Sequence, residues 1–153
     1  MPNQYPHMNL PPYQDFPTLK NSMILLREIR PEDIKDLVEI SFYDGKAASD
    51  EEEAKFMQAR IDADYQRGDS IHWGIVDLEM DQVVGTCGYY RGFEGGSGEL
   101  GCVLKPAFRG QGYMRTALEL AIEFGFQQIG LEKVVAITSR QNEKAVRLLT
   151  RLQ

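Results

Sequence analysis

Residues 109–115, Arg-Gly-Gln-Gly-Tyr-Met-Arg, lie where a strand-like run gives way to a helix-like one. The strand ends near Leu104, Pro106 interrupts it, and Gly110 and Gly112 let the chain turn tightly before a helix begins near Tyr113. The first backbone N–H groups of a helix have no intrahelical partner and carry roughly half a positive charge. A glycine-lined turn there is an anion site of a size that suits a pyrophosphate. Arg109 at its mouth and Arg115 one turn into the helix are permanent cations suited to phosphate oxygens. Helix-starting glycines also serve chain geometry alone, so both readings stand at this point. The other glycine-dense stretch, Gly-Phe-Glu-Gly-Gly-Ser-Gly before residue 99, lies between two strand candidates and has no lysine in a phosphate-loop arrangement. It reads as a flexible turn, and nucleotide triphosphate and dinucleotide sites are excluded there.

The remaining reactive side chains are few. Cys87 and Cys102 each lie inside a strand-like segment, with no metal-ligand spacing and only His7 and His72 to help. Neither a metal site nor a disulfide framework is indicated, and Cys102 reads as a small buried apolar residue. Asn142 has the position of an N-cap. The acidic run at 50–53 follows Ser49, which with Glu52 reads as a capping box, so its first role is to start a helix; recruitment of a cationic substrate is the second reading.

The elements around these residues follow from periodicity. Residues 23–27 predict a buried first strand, and Pro31 opens a helix with Ile34, Leu37 and Val38 on one face. A second helix carries Ala54, Met57, Ile61 and Tyr65 and ends at Gly68. Residues 71–78 and 82–90 predict an antiparallel hairpin, and residues 99–104 a further strand. Met114, Ala117, Leu118, Ala121 and Phe124 then recur at helical spacing until Gly130, residues 133–137 predict a strand, and a last helix runs from Asn142 with Ala145, Leu148, Leu149 and Leu152 on one face. The order is strand, two helices, three strands, helix, strand, helix: an α+β fold with helices flanking a mixed, mostly antiparallel sheet.

With 153 residues the chain is one domain's worth, expected over residues 16–153 behind a mobile, proline-rich lead-in at 1–15. A formal charge of −6 argues against a nucleic-acid footprint and suits a cationic partner. No run approaches the roughly 18–20 apolar residues of a membrane span, and the reading favours the cytosol.

Taken together, the segment order and three stretches, "FPTLKNSMILLREIRPEDIKDL", "GELGCVLKPAFRGQGYM" and "TSRQNEKAVRLLTRL", resemble the GNAT superfamily of acyl-CoA-dependent N-acyltransferases, in its ribosomal-protein N-acetyltransferase (RimJ/RimL-like) branch. The family's pyrophosphate motif reads here Arg109, Gly110, Gln111, Gly112, Tyr113, Met114, with Met114 departing from the small residue usual at the last position. The resemblance implies acetyl transfer from acetyl-CoA to a primary amine, a protein N-terminus or a small amine, by direct attack, with no metal. It implies a strand splayed from its neighbour, whose free main chain at Cys102, Val103 and Leu104 pairs with pantetheine and supplies an oxyanion donor. It makes Glu99 the general base, with a surface glutamate as the alternative, and gives Asn142 a hydrogen bond to pantetheine.

Relatives place a general acid where this chain has Ala145 and Leu149, neither of which can donate a proton. A thiol of pKa about 8.5 can leave without one, or water, Tyr89 or Tyr90 can substitute. The two strands that follow in relatives are absent here, which implies either a shortened chain or an edge completed by a partner in a homodimer. A CoA-binding module without catalysis is the alternative function.

Overall fold

Alternating apolar residues make the centre of the chain a sheet, and glycines and prolines punctuate it. The computed structural model describes residues 8–137 and 147–150. In chain order its elements are β1 (Leu19–Lys20), β2 (Ile24–Glu28), β3 (Phe42–Tyr43), β4 (Lys46–Ala47), α1 (Glu51–Gln66), β5 (Ile71–Asp77), β6 (Gln82–Tyr90), β7 (Ser97–Leu104), α2 (Tyr113–Phe124), β8 (Lys133–Ile137) and β9 (Arg147–Thr150). Seven strands form one sheet in the order β1-β2-β5-β6-β7-β8-β9, and β3 and β4 make a separate hairpin. Every neighbouring pair in the sheet is antiparallel except β7 with β8. This is the mixed α+β architecture expected.

Strand alternation divides the side chains between two faces. One carries Trp73, Ile75, Tyr89, Leu100, Cys102 and Leu104 under the apolar stripe of α2, Ala117, Ala121 and Phe124. The other carries Val76 and Val83, covered by Ile34, Leu37, Ile40 and Ala54. At its C-terminal end α2 widens into a π turn, Gly125–Ile129, before Gly130 takes the left-handed conformation that ends it.

Three local expectations change. The segment after Pro31 folds as two 3₁₀ turns, Pro31–Asp36 and Val38–Ile40, instead of an α-helix. Its buried apolar residues, Ile34, Leu37 and Ile40, recur every three positions, which is the 3₁₀ period. Asp33 anchors the start, bound to both terminal nitrogens of Arg27 at 2.7 and 3.1 Å and accepting from Arg30 N at 2.7 Å. The cap of α1 is Asp50, not Ser49: its carboxylate accepts from Glu53 N at 2.9 Å, and Glu53 reaches back to Ser49 N. The cap is thus one residue later than expected, and the return bond goes to the residue before it.

The third change is at the end of the chain. A helix was expected through Leu148 and Leu149, yet Arg147–Thr150 pair antiparallel with β8, Val134 opposite Leu149. An unpaired β8 edge offers a full row of backbone partners to any extended segment beside it. Asn142 and Ala145 lie outside the described residues. Residues 8–15 of the proline-rich lead-in, and Phe16 and Pro17 after it, lie against the core: Asn9 N donates to Ile129 O, Tyr13 N to Tyr65 Oη, and Trp73 Nε1 to Pro17 O. The rings of Tyr13 and Phe16 pack against Tyr65 and give this segment its hold.

Candidate active site

β7 is the strand on which the site is built. Toward β6 it is paired from Glu99 opposite Tyr90 to Leu104 opposite Gly85. Toward β8 the parallel register runs from Ser97 opposite Lys133 to Gly101 opposite Ile137. Cys102, Val103 and Leu104 therefore have a neighbour on one side only, among the described residues. Which of their main-chain groups face the open side follows from alternation. Lys105 N donates to Val84 O across β6. In an antiparallel ladder every second residue turns its N–H and C=O to the same neighbour, so Val103 also faces β6, while Cys102 and Leu104 turn theirs to the β8 side. Their side chains are buried under α2.

β7 leads to the glycine turn. Gly110 has φ 75° and Gly112 φ 90°, left-handed values that a side chain would strain, and a Cβ on either would meet nothing within 4 Å. Gly112 is the N-cap of α2 and offers no side-chain acceptor; the first helical bond runs from Thr116 N to Gly112 O. Among the described residues the backbone N–H groups of 110–115 have no acceptor. A row of bare amides at the positive end of a helix, on a surface open to solvent, fits a diphosphate. The side chain of Met114 packs against the α2 core, which leaves the helix start uncovered. Arg109 is exposed and has no carboxylate partner among the described residues. Arg115 differs: its guanidinium turns to Glu119 at 3.4 Å, one turn along the helix.

The helix start is held from behind. Tyr113 Oη donates to Asp77 Oδ1 at 2.7 Å, and the second oxygen of Asp77 accepts from Met80 N at 2.7 Å. These two bonds, Met80 first, keep the Asp77 carboxyl below the usual carboxylate range. Asn21 Nδ2 donates to Thr116 Oγ1, tying the first turn of α2 to the β1–β2 turn.

At the other end of β7, Glu99 is half-buried on the sheet face opposite α2, and Arg91 Nη1 donates to its Oε1 at 3.3 Å. Tyr90, directly opposite Glu99 in the ladder, meets His72 Nδ1 at 2.6 Å. Burial lowers the His72 pKa to about 4, so the imidazole is neutral near pH 7. Tyr89 is on the other face, and its hydroxyl is committed to Ala121 O at 2.7 Å deep in the core. Of the two tyrosines considered as proton donors, Tyr90 alone is placed on the face with Glu99.

Cys102 stands opposite Cys87 in the ladder, both buried and neither in a disulfide. The contact with Cys102, and then burial, push the Cys87 thiol well above its ordinary pKa, an environment that quenches nucleophilicity. The fold thus brings Glu99, the main chain of Cys102 and Leu104, and the turn at 109–114 onto one strand and its exit. His72 and Asp77 were missed in the sequence; alternation along β5 was the available signal for the first.

Comparison with known proteins bears on the same stretch. The model of a family described as an acetyltransferase (GNAT) domain matches residues 23–153. The chain is similar to the uncharacterized N-acetyltransferase YoaA of Bacillus subtilis (strain 168), 26% identical over 145 residues, covering 90% of this chain and 82% of that one. It is also 26% identical over 135 residues to the spermidine N(1)-acetyltransferase of Escherichia coli (strain K12), covering 88% of this chain and 62% of the relative. Among solved structures, the ribosomal-protein-S5-alanine acetyltransferase from Vibrio fischeri superposes with a TM-score of 0.66 at 19% identity, over 84% of this chain and 77% of that one. At that identity the likeness concerns the fold.

Proposed function

Because this chain belongs to the GNAT acetyltransferase family, we propose that it moves the acetyl group of acetyl-CoA to a primary amine by direct attack. The observation that carries this reading is the glycine turn at the start of α2, where among the described residues the backbone N–H groups of 110–115 have no acceptor. The strand that runs into this turn directs the main chain of Cys102 and Leu104 away from β6.

Acetyl-CoA supplies an activated thioester; the chain supplies the rest. The amides of 110–115, with Arg109, hold the diphosphate. Cys102 and Leu104 bind pantetheine in the manner of an added strand, and a backbone N–H there stabilises the oxygen as negative charge builds on it. Glu99 accepts a proton from the ammonium of the acceptor, directly or through water, so that a neutral amine attacks. Asn142, outside the described residues, adds a hydrogen bond to the cosubstrate in this reading. A chain with a formal charge of −6 favours a cationic acceptor, either a polyamine or a basic protein N-terminus.

The test is turnover of acetyl-CoA against a panel of polyamines and N-terminal peptides, read as released thiol. Binding of CoA without turnover on any amine would leave the non-catalytic CoA module, and absence of CoA binding would remove both.

A further inference from the structure

The turn that carries the bare amides cannot hold its own shape. Gly110 and Gly112 both take left-handed φ values, and glycine has the widest choice of backbone conformations. Amides without an acceptor among the described residues add no restraint, and Gly112 caps α2 without a side chain. What fixes residues 109–112 therefore comes from their two ends. Before the turn, Phe108 closes the 3₁₀ turn Pro106–Phe108, and Gln111 Nε2 donates back to Ala107 O at 3.0 Å. After it, the buried Tyr113 is the first residue of α2. Its ring meets that of Phe108 edge to face, with 6.0 Å between centroids and 80° between planes. The two rings shut the base of the turn.

This pair of rings is tied to the sheet at one atom. Tyr113 Oη donates to Asp77 Oδ1 at 2.7 Å, a buried bond between residues 36 apart in the chain. Asp77 closes β5, paired with Ile24 of β2 on one side and Gln82 of β6 on the other. Its second oxygen accepts from Met80 N in the turn that follows. Strand pairing on both sides and the hairpin turn thus fix the carboxylate, and the tyrosine hydroxyl passes that fixity to a loop built on glycine.

We propose that Tyr113, held by Asp77, is a positioning residue that sets how tightly the chain takes the diphosphate of its cosubstrate, an inference that rests on the acetyltransferase reading above. In this role the phenol takes no part in proton transfer. It acts through the backbone of 110–113, keeping the N–H groups convergent before the ligand arrives, so that little ordering is left to be done on binding.

Tyr113→Phe keeps the ring against Phe108 and removes only the bond to Asp77. Affinity for CoA by calorimetry and KM for acetyl-CoA are both expected to weaken about tenfold, the size of one net hydrogen bond. The loss should appear in KM and not in kcat. With S-acetylpantetheine, which carries the same thioester and no diphosphate, it should disappear. Asp77→Asn can still accept from Met80 N through its oxygen and donate to Tyr113 Oη through its nitrogen. It is therefore expected to retain most of the CoA affinity that Asp77→Ala loses. A Tyr113→Phe chain that binds CoA as the wild type does, that loses in kcat with KM unchanged, or that loses as much on S-acetylpantetheine as on acetyl-CoA would overturn the positioning role while the acetyltransferase reading stood. A wild-type chain that binds no CoA would remove both.

Discussion

Glu99 and His72 show how much a neighbour decides about a side chain. Glu99 is half-buried near one end of β7, opposite Tyr90 and paired with Arg91, and Glu99→Gln keeps its shape, so the substitution disturbs little packing. If it takes the ammonium's proton, the amide variant should lose about 10²–10⁴-fold in kcat while calorimetry gives the wild-type affinity for CoA. An unchanged kcat would return Glu99 to the solvated surface. His72 carries a stability prediction with a definite sign. Its folded pKa, about 4, lies below the ordinary 6.5, so the unfolded chain takes up the proton first. The stabilisation by the neutral buried ring is complete above pH 6.5 and is lost as pH falls toward 4, by roughly 3 kcal/mol at most. Denaturation between pH 7 and pH 4 should show that loss in the wild type, and His72→Gln should flatten it.

The turn before α2 works as an element because neither glycine has a side chain. Gly112 at φ 90° is the N-cap, and alanine there would be strained by about 1–2 kcal/mol while its methyl stands in the space a diphosphate would enter. Gly112→Ala is expected to lower the denaturation midpoint and to weaken CoA binding about tenfold or more. Unaltered CoA affinity in a folded variant would move the anion site elsewhere. Behind the turn, the Tyr113–Asp77 bond joins the start of α2 to the end of β5. The Asp77 carboxyl is held below its usual range, so its contribution is present above the unfolded pKa, about 3.9, and disappears as pH falls through the lowered one. The 3₁₀ turns at 31–40 play a similar part on the opposite face, where Arg27 and Asp33 tie them to β2.

At the scale of the whole molecule, α2 covers one face of the seven-stranded sheet, and α1 with the 3₁₀ turns covers part of the other. Among the described residues β7 and β8 form the one parallel junction of the sheet. A ligand that lies along the end of β7 and on the helix start binds only the folded state. CoA at a hundred times its dissociation constant should therefore stabilise the chain by about 2.7 kcal/mol, a rise in melting temperature on the order of 5–10 °C. Glu99→Gln should show the same rise and Gly112→Ala a smaller one. No shift with CoA at any concentration would contradict the proposed site.

The sequence by itself determined the elements whose cause is local: the hairpin of β5 and β6 from β-branched alternation, the end of α1 at Gly68, the bare helix start at Gly112, and the family from the motif at 109–114. It left undecided whatever depends on what lies opposite. The 3₁₀ period of 34, 37 and 40 and the cap at Asp50 are small local choices between near-equal alternatives. Residues 147–150 read as helix by their own spacing, and the open edge of β8 turned them into a strand. The separation of Tyr89 from Tyr90, one tied into the core and the other beside His72 on the opposite face, needed the register of three strands. Main-chain geometry along one segment is written in that segment, whereas a site assembled across strands exists only once pairing has set which residues share a face.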